Sequence, residues 1–142
     1  MKVEFYERCQ IEDKKLMYAV IVSNYRGRWL FVRHKARATW EIPGGRREYD
    51  EPIIQTAHRE LFEETGALKY ILTEVCDYSV TGDSPDYGRV YSAEITELGR
   101  LPAFEIAARM LSMNLPDQMT YPDIQSQIFE KVLAIRERGH LF

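Results

Sequence analysis

The chain has 142 residues, 45% hydrophobic and 29% charged, with 19 Lys and Arg against 22 Asp and Glu and a formal net charge of -3. That length and balance predict one globular domain over residues 1–142 and exclude an intrinsically disordered chain. The acidic balance argues against a general binder of nucleic-acid polymers, whose affinity comes from a basic surface. No apolar run approaches the roughly 20 residues that span a membrane, and the opening M-K-V-E-F-Y-E-R is too charged for a signal peptide. Cys9 and Cys76 form no C-x-x-C pair and no metal-like cluster, so they are expected to be reduced structural thiols of a cytoplasmic protein.

In chain order, M-Y-A-V-I-V-S (17–23) is β-branched and aromatic and predicts a buried strand. N-Y-R-G-R (24–28) reads as a turn and W-L-F-V-R-H (29–34) as the returning strand of a hairpin. R-A-T-W-E-I-P-G-G (37–45) reads as a loop ending in glycines. A helix is expected from Asp50 to Thr65, with Asp50 or Glu51 as its cap, Pro52 in its first turn and Gly66 at its C-terminal end. Its apolar stripe is expected at Ile54, Ala57 and Leu61. Strands are expected at Tyr70–Val80, Arg89–Thr96 and Ile106–Met113. T-Y-P-D (120–123) opens a second helix running to Arg138, with Ile124, Ile128, Val132 and Ile135 at helical spacing and Gly139 as its stop. Strands and helices in this order predict an α/β or α+β fold with helices packed on a mixed sheet.

The first helix carries a local contradiction. Glu60, Glu63 and Glu64 fall within an arc of roughly 100° on the helical wheel. The i,i+3 and i,i+4 pairs among them cost about 0.2–0.5 kcal/mol each, and they lie near the helix C-terminus, where the macrodipole disfavours anions. Glu64 borders the apolar stripe, so it should be partly sheltered. A hard divalent cation offsets such penalties: Mg²⁺ takes carboxylate oxygens and keeps its other positions for waters and phosphate. The alternative is a solvated acidic face with Arg59 as counter-charge.

Residues 45–67 fit a stringent pattern: Gly45, five residues, Glu51, seven residues, then Arg59, Glu60, Leu61, Glu63, Glu64, Gly66 and Ala67. At ordinary residue frequencies a chance match is on the order of 10⁻⁹ per starting position. The stretch resembles the Nudix box, G-x5-E-x7-R-E-U-x-E-E-x-G-U, where U is apolar. The resemblance implies an α/β/α sandwich and hydrolysis of a nucleoside diphosphate linked to another group, assisted by Mg²⁺ or Mn²⁺. It implies that Glu60, Glu63 and Glu64 are metal ligands, one of them also a candidate base, with the Gly44 carbonyl as a further ligand. Glu51 and Arg59 are implied to hold the loop on the helix. Glu105, with Glu94 as competitor, stands where the family often supplies one more acid.

Basic residues flank the loop. Arg33 and Arg46 resemble, in placement, the phosphate-contacting residues of the antimutator nucleoside-triphosphate branch, with Gly45 leaving room for the substrate. Strand alternation puts Arg33 and Lys35 on one face, opposite His34. Asp123 opens the last helix, where that branch reads the base edge, and Tyr121 can stack on a base; the alternative for Asp123 is a helix-dipole acid. His34 and His140 show no ligand spacing, and His58, on the first helix away from the carboxylate arc, is expected to be structural. No S-Q-P-W-P-F-P element and no coenzyme A signature is present, and Pro85 lies late for an ADP-ribose marker. The expected activity is Mg²⁺-dependent cleavage of a nucleoside triphosphate, such as 8-oxo-dGTP, to monophosphate and pyrophosphate, by a monomer or homodimer. Alternatives are another nucleoside diphosphate derivative (ADP-ribose, a nucleotide sugar, a dinucleoside polyphosphate) or a non-catalytic nucleotide-binding module.

Overall fold

A computed structural model describes residues 2–8 and 10–139. Cys9 and His140 lie outside the described residues. Among the described residues ten elements follow in order: β1 (Val3–Tyr6), a single 3-10 turn (Asp13–Lys15), β2 (Leu16–Tyr25), β3 (Arg28–His34), β4 (Gly44–Arg46), α1 (Ile53–Thr65), β5 (Ala67–Val80), β6 (Asp86–Leu98), β7 (Ile106–Ser112) and α2 (Pro122–Glu137). The strands form one seven-stranded sheet, ordered β1-β5-β6-β2-β3-β7, with β4 also paired to β2. The β2–β6 ladder is parallel and the others are antiparallel, so the sheet is mixed as expected.

β2 and β6 sit centrally and are covered on both faces, which explains why β2 reads as a continuous apolar run rather than an alternating one. Ala19 and Ile21 face α1, packing with Ile53, Ala57 and Leu61. Val20 and Val22 face α2, packing with Ile128, Phe129 and Val132. Helix, sheet and helix therefore make the three-layer α/β/α arrangement.

The hairpin between β2 and β3 turns at Arg26 (φ 52°) and Gly27 (φ 83°), two consecutive positive-φ residues of the kind that match strand twist. Gly66 closes α1 in the left-handed region (φ 79°), its N–H donating to the Phe62 carbonyl at 2.9 Å.

Three local expectations are corrected, and one strand is added. The N-cap of α1 is Pro52, without a side-chain cap, because Glu51 is drawn to Arg59 and Asp50 stands at φ 61°. The buried stripe uses Ile53, at 2% exposure, whereas Ile54 is 39% exposed. Gly44–Arg46 is a strand: no Cβ fits at Gly44 against the Ala19 carbonyl, so the missing side chain lets it pair with β2. Short β1 pairs with β5 and has no counterpart in the sequence reading. Cys76 is a free, buried thiol whose pKa burial pushes up to about 12, in keeping with a structural role.

Candidate active site

The acidic site is built on the C-terminal half of α1, with β4 beside it and the segment before β7 across from it. Arg59 is its hub. Its Nε donates to Glu51 Oε2 at 2.8 Å and its Nη2 to Glu51 Oε1 at 3.0 Å, a two-pronged pair. Nη2 also donates to the Arg46 carbonyl at 3.1 Å, fastening β4 to the helix. Nη1 reaches Glu60 Oε1 at 2.8 Å and Glu63 Oε2 at 3.3 Å. Thr56 Oγ1 donates to Glu51 Oε1 at 2.6 Å. The guanidinium beside Glu51 holds that carboxyl down at about 2, against the opposing effect of burial.

Glu60 and Glu64 respond in the opposite sense. Burial pushes Glu60 up to about 7, against the bonds from Arg59, with the charges of Glu63 and Glu105 adding to the rise. Burial pushes Glu64 up to about 8, against the Gly44 N–H that donates to its Oε1 at 2.9 Å, with Glu60, Glu41 and Glu105 adding. Glu64 is only 6% exposed, so the shelter expected at the edge of the stripe is nearly complete. One guanidinium does not neutralise this wall.

A cavity of about 360 Å³ brings together Glu60, Glu63, Glu64, Glu105, Arg46 and Arg59. A second cavity, about 430 Å³, adjoins the first across His34, Gly44, Gly45 and Arg46. Glu105 is thus the acid that faces the helix, while Glu94 stands opposite Asn24 in the sheet and lines neither cavity. A Cβ on Gly45 would sit on the Glu60 carboxylate, so that glycine keeps the backbone against the acidic wall. The walls of the second cavity are mostly apolar and aromatic: Tyr18, Tyr78, Tyr121, Ile124 and Ile128, with Gln125 among them. A larger cleft, about 660 Å³, lies elsewhere, between β1, β5 and α2, and contains none of the box residues.

His34 is the residue the sequence missed. Its Nε2 stands 3.5 Å from Glu64 Oε2 and 3.6 Å from Glu41 Oε1, and it lines both cavities. Alternation correctly opposed it to Arg33, but Arg33 is the one turned away: its guanidinium lies 6.0 Å over the Trp40 ring and donates to the Arg37 carbonyl at 3.2 Å. Arg46 does line both cavities, its guanidinium 5.8 Å over Tyr18. Asp123 sits in the first turn of α2 but lines neither cavity; Tyr121, Ile124 and Gln125 line the aromatic one.

The donor set suits a hard divalent cation, since it consists of carboxylate oxygens in excess over their counter-charges. Among the described residues no group of three His, Cys, Asp or Glu side chains is gathered closely enough to hold an ion. Glu60 and Glu63 both lean on Arg59 instead. Coordination by Glu60 and Glu63 would require their carboxylates to leave the Arg59 guanidinium.

The sequence profile of the NUDIX domain matches residues 14–109. The chain belongs to the Nudix family of hydrolases. A proposed 8-oxo-dGTP diphosphatase of Bacillus subtilis, YtkD, is 31% identical over 102 residues, 70% of this chain and 64% of that protein. The chain thus spans under two thirds of that relative's length. The B. subtilis pyrophosphohydrolase BsRppH has a similar structure, with TM-score 0.78, 25% identity, and 93% of this chain and 90% of that one covered. The Nudix domain of Shewanella oneidensis NrtR, bound to ADP ribose, shares the fold at TM-score 0.66 and 18% identity, covering 91% and 94%.

Proposed function

We propose that the protein is a Mg²⁺-dependent Nudix pyrophosphohydrolase, also served by Mn²⁺, that cleaves a nucleoside triphosphate to monophosphate and pyrophosphate. An oxidised guanine nucleotide such as 8-oxo-dGTP is its favoured substrate, as the likeness to YtkD supports. The observation that carries the proposal is the pair of adjoining cavities: an acidic one for ions and diphosphate, an aromatic one for a base, hinged on Gly44–Arg46.

Glu60, Glu63 and Glu64 would hold the ion, with Glu105 and the Gly44 carbonyl as further oxygen ligands. A divalent ion bound there supplies positive charge against the diphosphate oxygens and acidity to the attacking water. The chain's own residues do the rest. Arg59 and Glu51 fix β4 and α1 relative to each other. Arg46, reaching both cavities, meets the phosphates between base and leaving group, and Gly45 lets them approach. Water adds at phosphorus, the P–O–P bridge opens, and pyrophosphate leaves. The water's proton goes to a glutamate of the wall. Arg33 and Asp123, outside both cavities, are assigned no contact.

Incubating the protein and Mg²⁺ with nucleoside triphosphates, ADP-ribose, nucleotide sugars and dinucleoside polyphosphates, with products read by mass, tests the proposal. Monophosphate and pyrophosphate from a triphosphate are expected. Preferred turnover of another class would move the substrate assignment. Tight binding of an intact nucleotide without product would make the protein a binding module.

A further inference from the structure

Arg47 follows Arg46 directly but lines neither the acidic nor the aromatic cavity, and all three of its guanidinium nitrogens are engaged elsewhere. Nε donates to the Glu51 carbonyl at 2.7 Å. Nη1 donates to the Leu16 carbonyl at 2.9 Å and to the Asp13 carbonyl. Nη2 donates to Asp13 Oδ2 at 2.8 Å. The Arg47 N–H also donates to the Met17 carbonyl at 2.8 Å. The other oxygen of Asp13, Oδ1, accepts the Ile53 N–H at 3.4 Å. Asp13 thus supplies from the 3-10 turn the cap that Pro52 has no side-chain acceptor to give α1. The loop of residues 47–51 is tied at both ends to the segment that enters β2.

Resting on the metal-dependent reading, we propose that Asp13 and Arg47 are positioning residues for the ion site: they hold Glu51, which keeps Arg59 from closing over Glu60 and Glu63. The connection runs through one residue. The Glu51 carbonyl is held by Arg47 and its carboxylate by Arg59. With Glu51 fixed, Arg59 keeps Nε and Nη2 on it and extends only Nη1 to Glu60 and Glu63. A loosened Glu51 frees the whole guanidinium to settle on those two carboxylates, in competition with a cation for the same oxygens. Asp13 and Arg47 touch neither ion nor substrate in this scheme. A purely structural pair would change stability alone; a positioning pair changes ion affinity in protein that remains folded.

Two mild variants test this. Asp13→Asn keeps an oxygen for the Ile53 N–H and removes the charge facing Arg47. Arg47→Lys keeps the charge, but a single ammonium cannot span Glu51, Leu16 and Asp13. Val132→Ala is the control, a truncation in the core under α2 that lines neither cavity and lowers stability by cavity formation. Mn²⁺ is titrated into each protein and the free ion read by electron paramagnetic resonance, at a temperature where circular dichroism shows all of them folded. Asp13→Asn and Arg47→Lys should each weaken Mn²⁺ binding about tenfold, and Val132→Ala by less than about twofold. Affinities within about twofold of wild type in both variants, or an equal loss in Val132→Ala, overturn the assignment. A wild-type protein that binds no Mn²⁺ removes the metal-dependent reading, and the assignment with it. The expected loss in a protein that hydrolyses no nucleotide supports Asp13 and Arg47 and removes only the pyrophosphohydrolase reading.

Discussion

The two cavities meet at Gly44–Arg46 but obey opposite physics. The acidic one is frustrated. Its carboxylates crowd against one another under partial burial, and Glu60 and Glu64 are driven up to about 7 and about 8. The aromatic one is settled: tyrosines and isoleucines pack against the sheet, and its polar side chains mostly have partners, as Gln125 Oε1 has in Ile42. The difference teaches where the chemistry is placed. The crowding falls where the proposal puts an ion and phosphates, while the aromatic wall is built as ordinary core is built. Glu51 belongs to the settled kind although it is charged, because Arg59 answers both of its oxygens.

Removing charge from the frustrated wall breaks this contrast most severely. Glu63→Gln or Glu64→Gln should lower kcat about a thousandfold, the scale of losing a group that stabilises transition-state charge. The substituted protein should stay folded, because the introduced amide keeps the shape of the carboxylate. At position 64 its carbonyl oxygen still accepts the Gly44 N–H. Phosphate release and circular dichroism together check both halves of this expectation.

Arg59→Ala should act on stability first. It strands the partly buried Glu51 and leaves Glu60 and Glu63 without counter-charge, at a cost of about 3 kcal/mol or more. Urea denaturation measures it. A loss below about 1 kcal/mol would mean that Arg59 is no hub.

The pH dependence separates the two kinds of carboxylate. Glu60 and Glu64 have folded pKa values above the ordinary 4.5, so their favourable contribution is present below that value and is lost as pH rises through about 7 and about 8. Glu51 runs the other way: its contribution is present above 4.5 and is lost as pH falls toward about 2. The metal-free protein should therefore melt at lower temperature at about pH 8.5 than at about pH 6, by roughly 2–4 °C for each kcal/mol involved. Mg²⁺ should restore more at the higher pH, where the ligands are ionised and the repulsion is greatest. Glu64→Gln should flatten the metal-free slope. Scanning calorimetry decides it, and a melting temperature that rises with pH over this range would contradict the proposed frustration.

The smallest effects are expected outside both cavities. Asp123→Asn and Arg33→Ala should each change kcat/KM by less than about twofold. Arg33→Ala should also cost about 0.5–1 kcal/mol of stability through its lost stacking on Trp40. A tenfold rise in KM for either would restore its substrate role.

The acidic wall was legible because most of its residues sit close in sequence, on one loop and one helix from Gly45 to Glu64. Local spacing alone then places them, and the like charges announce themselves as a local cost. The aromatic cavity draws on β2, β3, β4, β5, β6 and α2, and no local pattern gathers Tyr18, Tyr78 and Gln125. His34 was hidden for a related reason. Both faces of β3 are apolar, Leu30 and Val32 toward α1 and Trp29 and Phe31 toward α2, so alternation separates His34 from Arg33 without saying which faces the acids. β4 was unreadable because Gly-Gly-Arg has no strand propensity and becomes a strand only by pairing with Tyr18–Val20. The stripe of α1 was misplaced by one residue because adjacent isoleucines, 53 and 54, offer two equally apolar wheels.

Diffraction from a Mn²⁺-soaked crystal, with the ion located by its anomalous signal, tests the central claim most directly. We expect a peak within about 2.0–2.2 Å of carboxylate oxygens from Glu60, Glu63 and Glu64, with the first two turned off Arg59. A peak elsewhere, with Glu60 and Glu63 still held by Arg59, would contradict it.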